Sequence, residues 1–184
     1  MGNQGFSNEA HLVAAEILWS GEIGDVTEVH ASTSTPIQAY WPQGLAQLPP
    51  EQKVPDNLDW DLWLGGTAMR PYRAETVPFN WRGYFDFGTG PLGDWGIHAL
   101  GPAHLALQLT APVSVEVLKQ EGRSKWTYPT RSVLLYRFPK RGNLPPVSIY
   151  WYDGATPDST WLFRPPGLEH ETLLPAMDNL VALG

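Results

Sequence analysis

Asp94 and His98 stand four residues apart in the stretch GTGPLGDWGIH, residues 88–98. On a helix that separation sets two side chains one above the other on the same face. A carboxylate beside an imidazole orients the ring and raises its basicity, which suits a general acid or base working near pH 7. The same two residues also make an ordinary surface pair, and spacing alone leaves both uses open. Gly90, Gly93 and Gly96 recur every three residues around them. A glycine inside a helix costs about 1 kcal/mol against alanine, so Gly93 and Gly96 mark places where a ligand or another surface comes close.

The first six residues of the stretch, Gly88 to Gly93, satisfy G-x-G-x-x-G. A dinucleotide-binding turn of that form needs a buried strand before it, a helix after it, and an acid about 20 positions on that ends the next strand. The preceding NWRGYFDF is bulky and charged, and APVSVE, at the later position, begins a strand rather than ending one. No βαβ unit fits, so no cofactor-binding residue is assigned. Asp94, His98 and His104 share one helical stretch, but three ligands of mixed spacing on one helix rarely converge, and no metal is assigned. His11, His30 and His170 show no partner in the sequence and read as ordinary.

The elements that must carry this stretch form an irregular series. Residues 8–20 have apolar positions at helical spacing, with Ser7 placed to cap the start and Gly21 the end. Residues 25–35 are β-branched and predict a strand. Five prolines in 36–58 forbid regular structure there, and LDWDLWLGG fits a short helix closed by glycine. Residues 91–109 predict one long helix, opened by Pro91. Strands follow at 113–121, 131–138 and 146–153, the last two joined by KRGNLPP. This order predicts a single α+β domain over residues 1–184: an open, mostly antiparallel sheet with helices on one face and long Pro/Trp-rich loops.

Composition narrows the function. The net charge is −7 and there is no basic run, which argues against nucleic acid and anionic membranes. With no cysteine, disulfides and thiolate metal sites are excluded. No apolar run reaches the roughly 18 residues of a membrane span, and the first residues lack a signal peptide's basic and apolar regions, so a cytoplasmic location is expected. Nine Trp and 18 Pro are high counts. A Trp face packs on sugar C–H groups, and it equally pins loops together.

The segment WDLWLGGTAMRPY…FNWRGYFDFGTGPLGDWGIH resembles the C-terminal domain of the Gfo/Idh/MocA oxidoreductases. The matches are Gly2-Asn3-Gln4-Gly5, Asp59 to Gly65, Trp81-Arg82-Gly83, Asp86 to Gly90, and Gly93-Asp94 with Gly96 and His98. The resemblance implies that the helix bearing D-x-x-x-H supplies substrate-binding and acid/base groups beside a nicotinamide. His98 would then handle the proton of a sugar or cyclitol hydroxyl, and Asp94 would bind substrate or orient His98. Asn3 and Arg82 would line the site, with Trp81, Asp86 and Trp95 as further substrate-binding candidates. The family places a Rossmann domain before this region. Phe6 stands where the subgroup has His, and Gly101 where an acid is common. The chain therefore reads as an isolated, truncated substrate domain that binds no NAD(P) alone.

Two other functions compete. A free-standing glycoside hydrolase needs two carboxylates, for which Asp86 and Asp94 are nearest, with Asp153 and Glu75 behind them. A non-catalytic sugar-binding or oligomerisation module would rest on the Trp-rich loops around 60–95. Read by period two, residues 131–138 and 146–153 are apolar or aromatic on both faces, and helices cover one. The expected partners are therefore a small sugar-like substrate and further copies of this chain on the open sheet face.

Overall fold

The computed structural model describes residues 8–32 and 42–154. Asn3, the Gly2–Gly5 motif, Ser7, His170 and the tail from 155 lie outside the described residues. Helix α1, Glu9–Ser20, opens at Asn8, whose side chain accepts from the Ala10 N–H at 3.0 Å. It closes at Gly21, in the left-handed region at φ 80°, where a missing Cβ removes the steric penalty. Strand β1, Glu28–Ser32, follows, then the short helix α2, Trp60–Leu64, capped by Asp59.

The predicted helix over 91–109 is two helices, α3 at Gly90–Ala99 and α4 at Gly101–Ala106. The break has a local cause. Pro102 has no N–H to give, and its ring conflicts with the carbonyl four residues back, at His98. The apolar spacing runs through the break unchanged, which is why periodicity alone reads one helix.

Strands β2, Ser114–Glu121, β3, Arg131–Phe138, and β4, Val147–Asp153, complete an open sheet in the order β1-β4-β3-β2. β2–β3 and β3–β4 are antiparallel and β1 runs parallel to β4. The fold is α+β and mostly antiparallel, as the order of elements predicts. On one face Phe138, Val147 and Ile149 bury against Leu107, with Leu18 of α1 and Leu100 and Ala103 at the α3–α4 break packed onto them. Trp19 ties α1 to α4 by donating Nε1–H to the Ala106 carbonyl at 2.8 Å.

The long loops carry a small core of their own. Trp60, Leu64 and Tyr72 are buried, with Val54, Leu58, Trp63, Val77 and Phe87 around them. Trp60 stacks on Trp63 at 4.7 Å between ring centroids and donates Nε1–H to the Arg70 carbonyl at 2.7 Å. These tryptophans pin the loop. The core holds in place the chain entering a 3-10 turn at Asn80–Gly83, which leads into α3.

Candidate functional site

The segment Gly83–Gly90 is fastened to residues 126–128. Tyr84 and Thr127 form an antiparallel bridge, and Phe85 N–H and Tyr128 N–H bond to the Trp126 and Gly83 carbonyls at 3.0 and 3.2 Å. Tyr128 completes the link by donating its hydroxyl to the Gly88 carbonyl at 3.0 Å. Burial raises the pKa of that hydroxyl, so it stays a neutral donor. The glycines of G-x-G-x-x-G serve this packing. A Cβ at Gly88 would collide with the Arg82 backbone. One at Gly90, where φ is +62°, would enter the Tyr128 ring. Arg82 and Tyr128 fill the space beside Gly88 and Gly90, so glycine at these positions serves the chain's own packing.

Helix α3 leaves this anchor with Asp94, Trp95 and His98 half-buried. The Trp95 and His98 rings meet edge to face at 6.2 Å, and the Trp95 Nε1–H is buried with no hydrogen-bond partner. Asp94 is engaged from the 3-10 turn: Arg82 Nε lies 3.6 Å from Oδ1. The Arg82 guanidinium sits 4.5 Å from the Phe79 ring centroid and 4.6 Å from that of Trp81. Its Nη1 donates to the Phe79 carbonyl at 3.1 Å. Thus Trp81, Arg82, Asp94, Trp95 and His98 belong to one cluster built from two adjoining elements.

Asp86 has a separate attachment. Arg70 grips both carboxylate oxygens, Nε at 2.8 Å and Nη2 at 3.1 Å, and this fork holds the Asp86 carboxyl below the usual range. The Asp94 carboxylate meets Arg82 from the neighbouring 3-10 turn. His104 points away from both. Its Nδ1 bonds the Leu100 carbonyl at 3.1 Å and its ring meets Phe138 edge-on at 5.9 Å. Among the described residues no three His, Asp or Glu side chains gather as a metal site.

The model of the oxidoreductase-family C-terminal α/β domain, of the Gfo/Idh/MocA type, matches residues 13–136. The chain belongs to the Gfo/Idh/MocA family. No curated protein matches it significantly. The family match spans the 3-10 turn and α3 and ends within β3, so every described residue of the candidate cluster lies within it.

Two groups gain surroundings that the sequence did not show. His30 is not isolated: Nε2 lies 2.5 Å from Glu28 Oε1, Nδ1 lies 2.7 Å from the Tyr152 hydroxyl, and the ring stacks on Tyr150 at 4.8 Å. The Glu-x-His alternation in β1 was the available signal, since residues two apart share a strand face. Tyr152 is 122 positions away, and only the β1–β4 register brings it there. Asp153 is the second. It is 5% exposed, accepts Trp151 Nε1–H at 3.0 Å through Oδ2, and keeps Oδ1 buried without a partner. Burial pushes its carboxyl up to about 6.

Proposed function

We propose that this Gfo/Idh/MocA domain supplies the substrate-side groups of a sugar- or cyclitol-acting oxidoreductase. The observation that carries the reading is the cluster itself: a titratable imidazole, an Arg–Asp pair and two partly open indoles on two adjoining elements. The Trp81 and Trp95 faces suit sugar C–H groups, the Arg82–Asp94 pair suits hydroxyls as donor and acceptor, and the His98 imidazole can hold or release a hydroxyl proton. In this reading nicotinamide chemistry belongs to a separate Rossmann unit, since a 3-10 turn rather than a strand precedes the G-x-G-x-x-G stretch. The reading includes self-association through the sheet face opposite the helices.

Glycoside hydrolysis by the two nearest carboxylates has less support. Protonating a leaving group needs a carboxyl with a raised pKa, and Asp86 is held low by Arg70. Calorimetric titration of the chain with a panel of sugars and cyclitols, then with NAD and NADP, tests the proposal. A polyol is expected to bind, with affinity falling at least tenfold in Trp81→Ala, and neither nucleotide is expected to bind. Heat from no panel member overturns the substrate reading, and a micromolar NAD complex overturns the cofactor reading. Nitrophenol release from aryl glycosides without NAD would move the site to a hydrolase.

A further inference from the structure

A cleft of about 650 Å³ opens between the end of α1, the end of α4 and the connection from β3 to β4. Small-molecule sites run from roughly 300 to 1,000 Å³. Trp19, Asp25, Gln108, Arg141, Leu144 and Pro145 stand on its walls, and no member of the His98 cluster does. Trp19 is 54% exposed, yet its Nε1–H is fixed to the Ala106 carbonyl at 2.8 Å. An open indole that is held from turning is a preformed face for another flat ring.

Arg141 donates Nε–H to the Leu107 carbonyl at 2.8 Å and Nη1–H to the Pro139 carbonyl at 2.7 Å. Both partners are neutral, and among the described residues no carboxylate pairs with this cation. Nη2 is buried without an acceptor, and burial lowers the pKa of the group. The guanidinium therefore sets a positive field on the cleft that an anion relieves. Gln108 is an independent sign. Helix α4 ends with Gln108 N–H on the Leu105 carbonyl at 3.3 Å and Leu109 N–H on the His104 carbonyl at 3.0 Å. Glycine usually fills the left-handed position of that motif, yet Gln108 takes it at φ 51°. Its exposed side chain makes no hydrogen bond among the described residues. Strained backbone of this kind gathers at ligand sites, and here it keeps an amide on the wall that glycine would not supply.

We propose that this cleft is a second binding site and takes a small aromatic monocarboxylate. The ring lies on Trp19, and the carboxylate sits in the field of Arg141 and accepts from the Gln108 amide. Leu144 and Pro145 supply apolar wall for the rest of the ring. Asp25, the acid on the wall, has no cation partner among the described residues and disfavours a second negative charge on the ligand. The site shares no residue with the cluster on α3 and does not depend on the function proposed for it.

Indoleacetate, its neutral amide and the cation tryptamine share a ring and differ in charge. NMR titration of the isotope-labelled chain with each probe reads the Trp19 indole N–H, assigned by its loss in Trp19→Phe. Indoleacetate is expected to bind, the amide about tenfold more weakly, and tryptamine not at all. Gln108→Gly is expected to melt no lower than the parent, because relief of strain offsets a looser unfolded chain. The same variant is expected to bind indoleacetate about tenfold more weakly, which a purely structural role for Gln108 would not produce. Arg141→Met is expected to erase the preference for indoleacetate over the amide. Equal affinity for the three probes, unchanged binding in Gln108→Gly, or no shift at Trp19 with millimolar indoleacetate overturns the proposal. If Arg141→Met does not fold, the probe series and Gln108→Gly decide the matter without it.

Discussion

Asp153 shows how one side chain sets a pH dependence. Its carboxyl is raised from 3.8 to about 6, chiefly by burial, against the Trp151 N–H bond and the nearby polar groups of Ser132, which favour the charge. The folded chain therefore keeps this proton over a range where the unfolded chain has lost it. Its contribution is fully present below pH 3.8 and is lost as pH rises through about 6. At about 1.4 kcal/mol per unit the loss is bounded near 3 kcal/mol. Asp153→Asn removes the charge and keeps an oxygen for the Trp151 indole. Denaturant unfolding of this variant is expected to show higher stability at pH 7.5 and a flatter profile between pH 4 and 6. Profiles that run parallel to the parent's count against the assignment. At the candidate site, His98→Ala is expected to remove any activity, and Asp94→Asn to lower it by about 10²-fold, the usual scale of acid/base assistance. Full turnover in His98→Ala would place the chemistry elsewhere.

At the scale of elements, the site depends on a seam between the glycine-rich segment and residues 126–128. Gly90 sits at its tightest point, with a positive φ and the Tyr128 ring against its Cα. An alanine there meets two independent penalties. Left-handed backbone costs an L-residue about 1–2 kcal/mol, and the new methyl must displace an aromatic ring that is itself hydrogen-bonded to Gly88. Gly90→Ala is expected to destabilise the domain by about 2 kcal/mol or more. Gly66→Ala, where a Cβ meets nothing within 4 Å, is the contrasting control. Similar losses in chemical denaturation for both would show that the seam is not what holds α3 in place.

For the whole molecule, the sheet has one face under helices and one face that displays Glu28, His30 and Tyr150 around Val133, Leu135 and Tyr152. Part of that second face is already covered: Val133, Leu135 and Tyr152 are 6%, 4% and 3% exposed within the single chain. Tyr150, on the same face, is half-buried. Light scattering on the eluted protein is expected to give a dimer, and Tyr150→Glu to give a monomer, at some cost in stability from the lost stack on His30. Tyr152→Glu makes a poor probe, because it buries a charge and breaks the bond to His30. A monomer near 20.5 kDa at tens of micromolar would remove the interface. No helix among the described residues is long and apolar enough to cross a membrane.

Local rules determined much of this protein from the sequence. Periodicity located α1 and the three later strands, and Gly21 and Gly65 marked the ends of α1 and α2. Motif spacing assigned the family and placed Asp94 and His98 on one helix. Each of these signals lies in neighbouring residues, where backbone geometry acts directly. Pro102 was legible too, yet the unbroken apolar spacing around it hid the division between α3 and α4. What only tertiary structure decided were the partners. Asp94 meets Arg82 because the 3-10 turn abuts α3. His30 finds Tyr152 because β1 lies beside β4, and Gly88 and Gly90 are closed because Arg82 and Tyr128 pack against them. A side chain's reach is a few ångströms in space, and chain separation says nothing about which group will fill it.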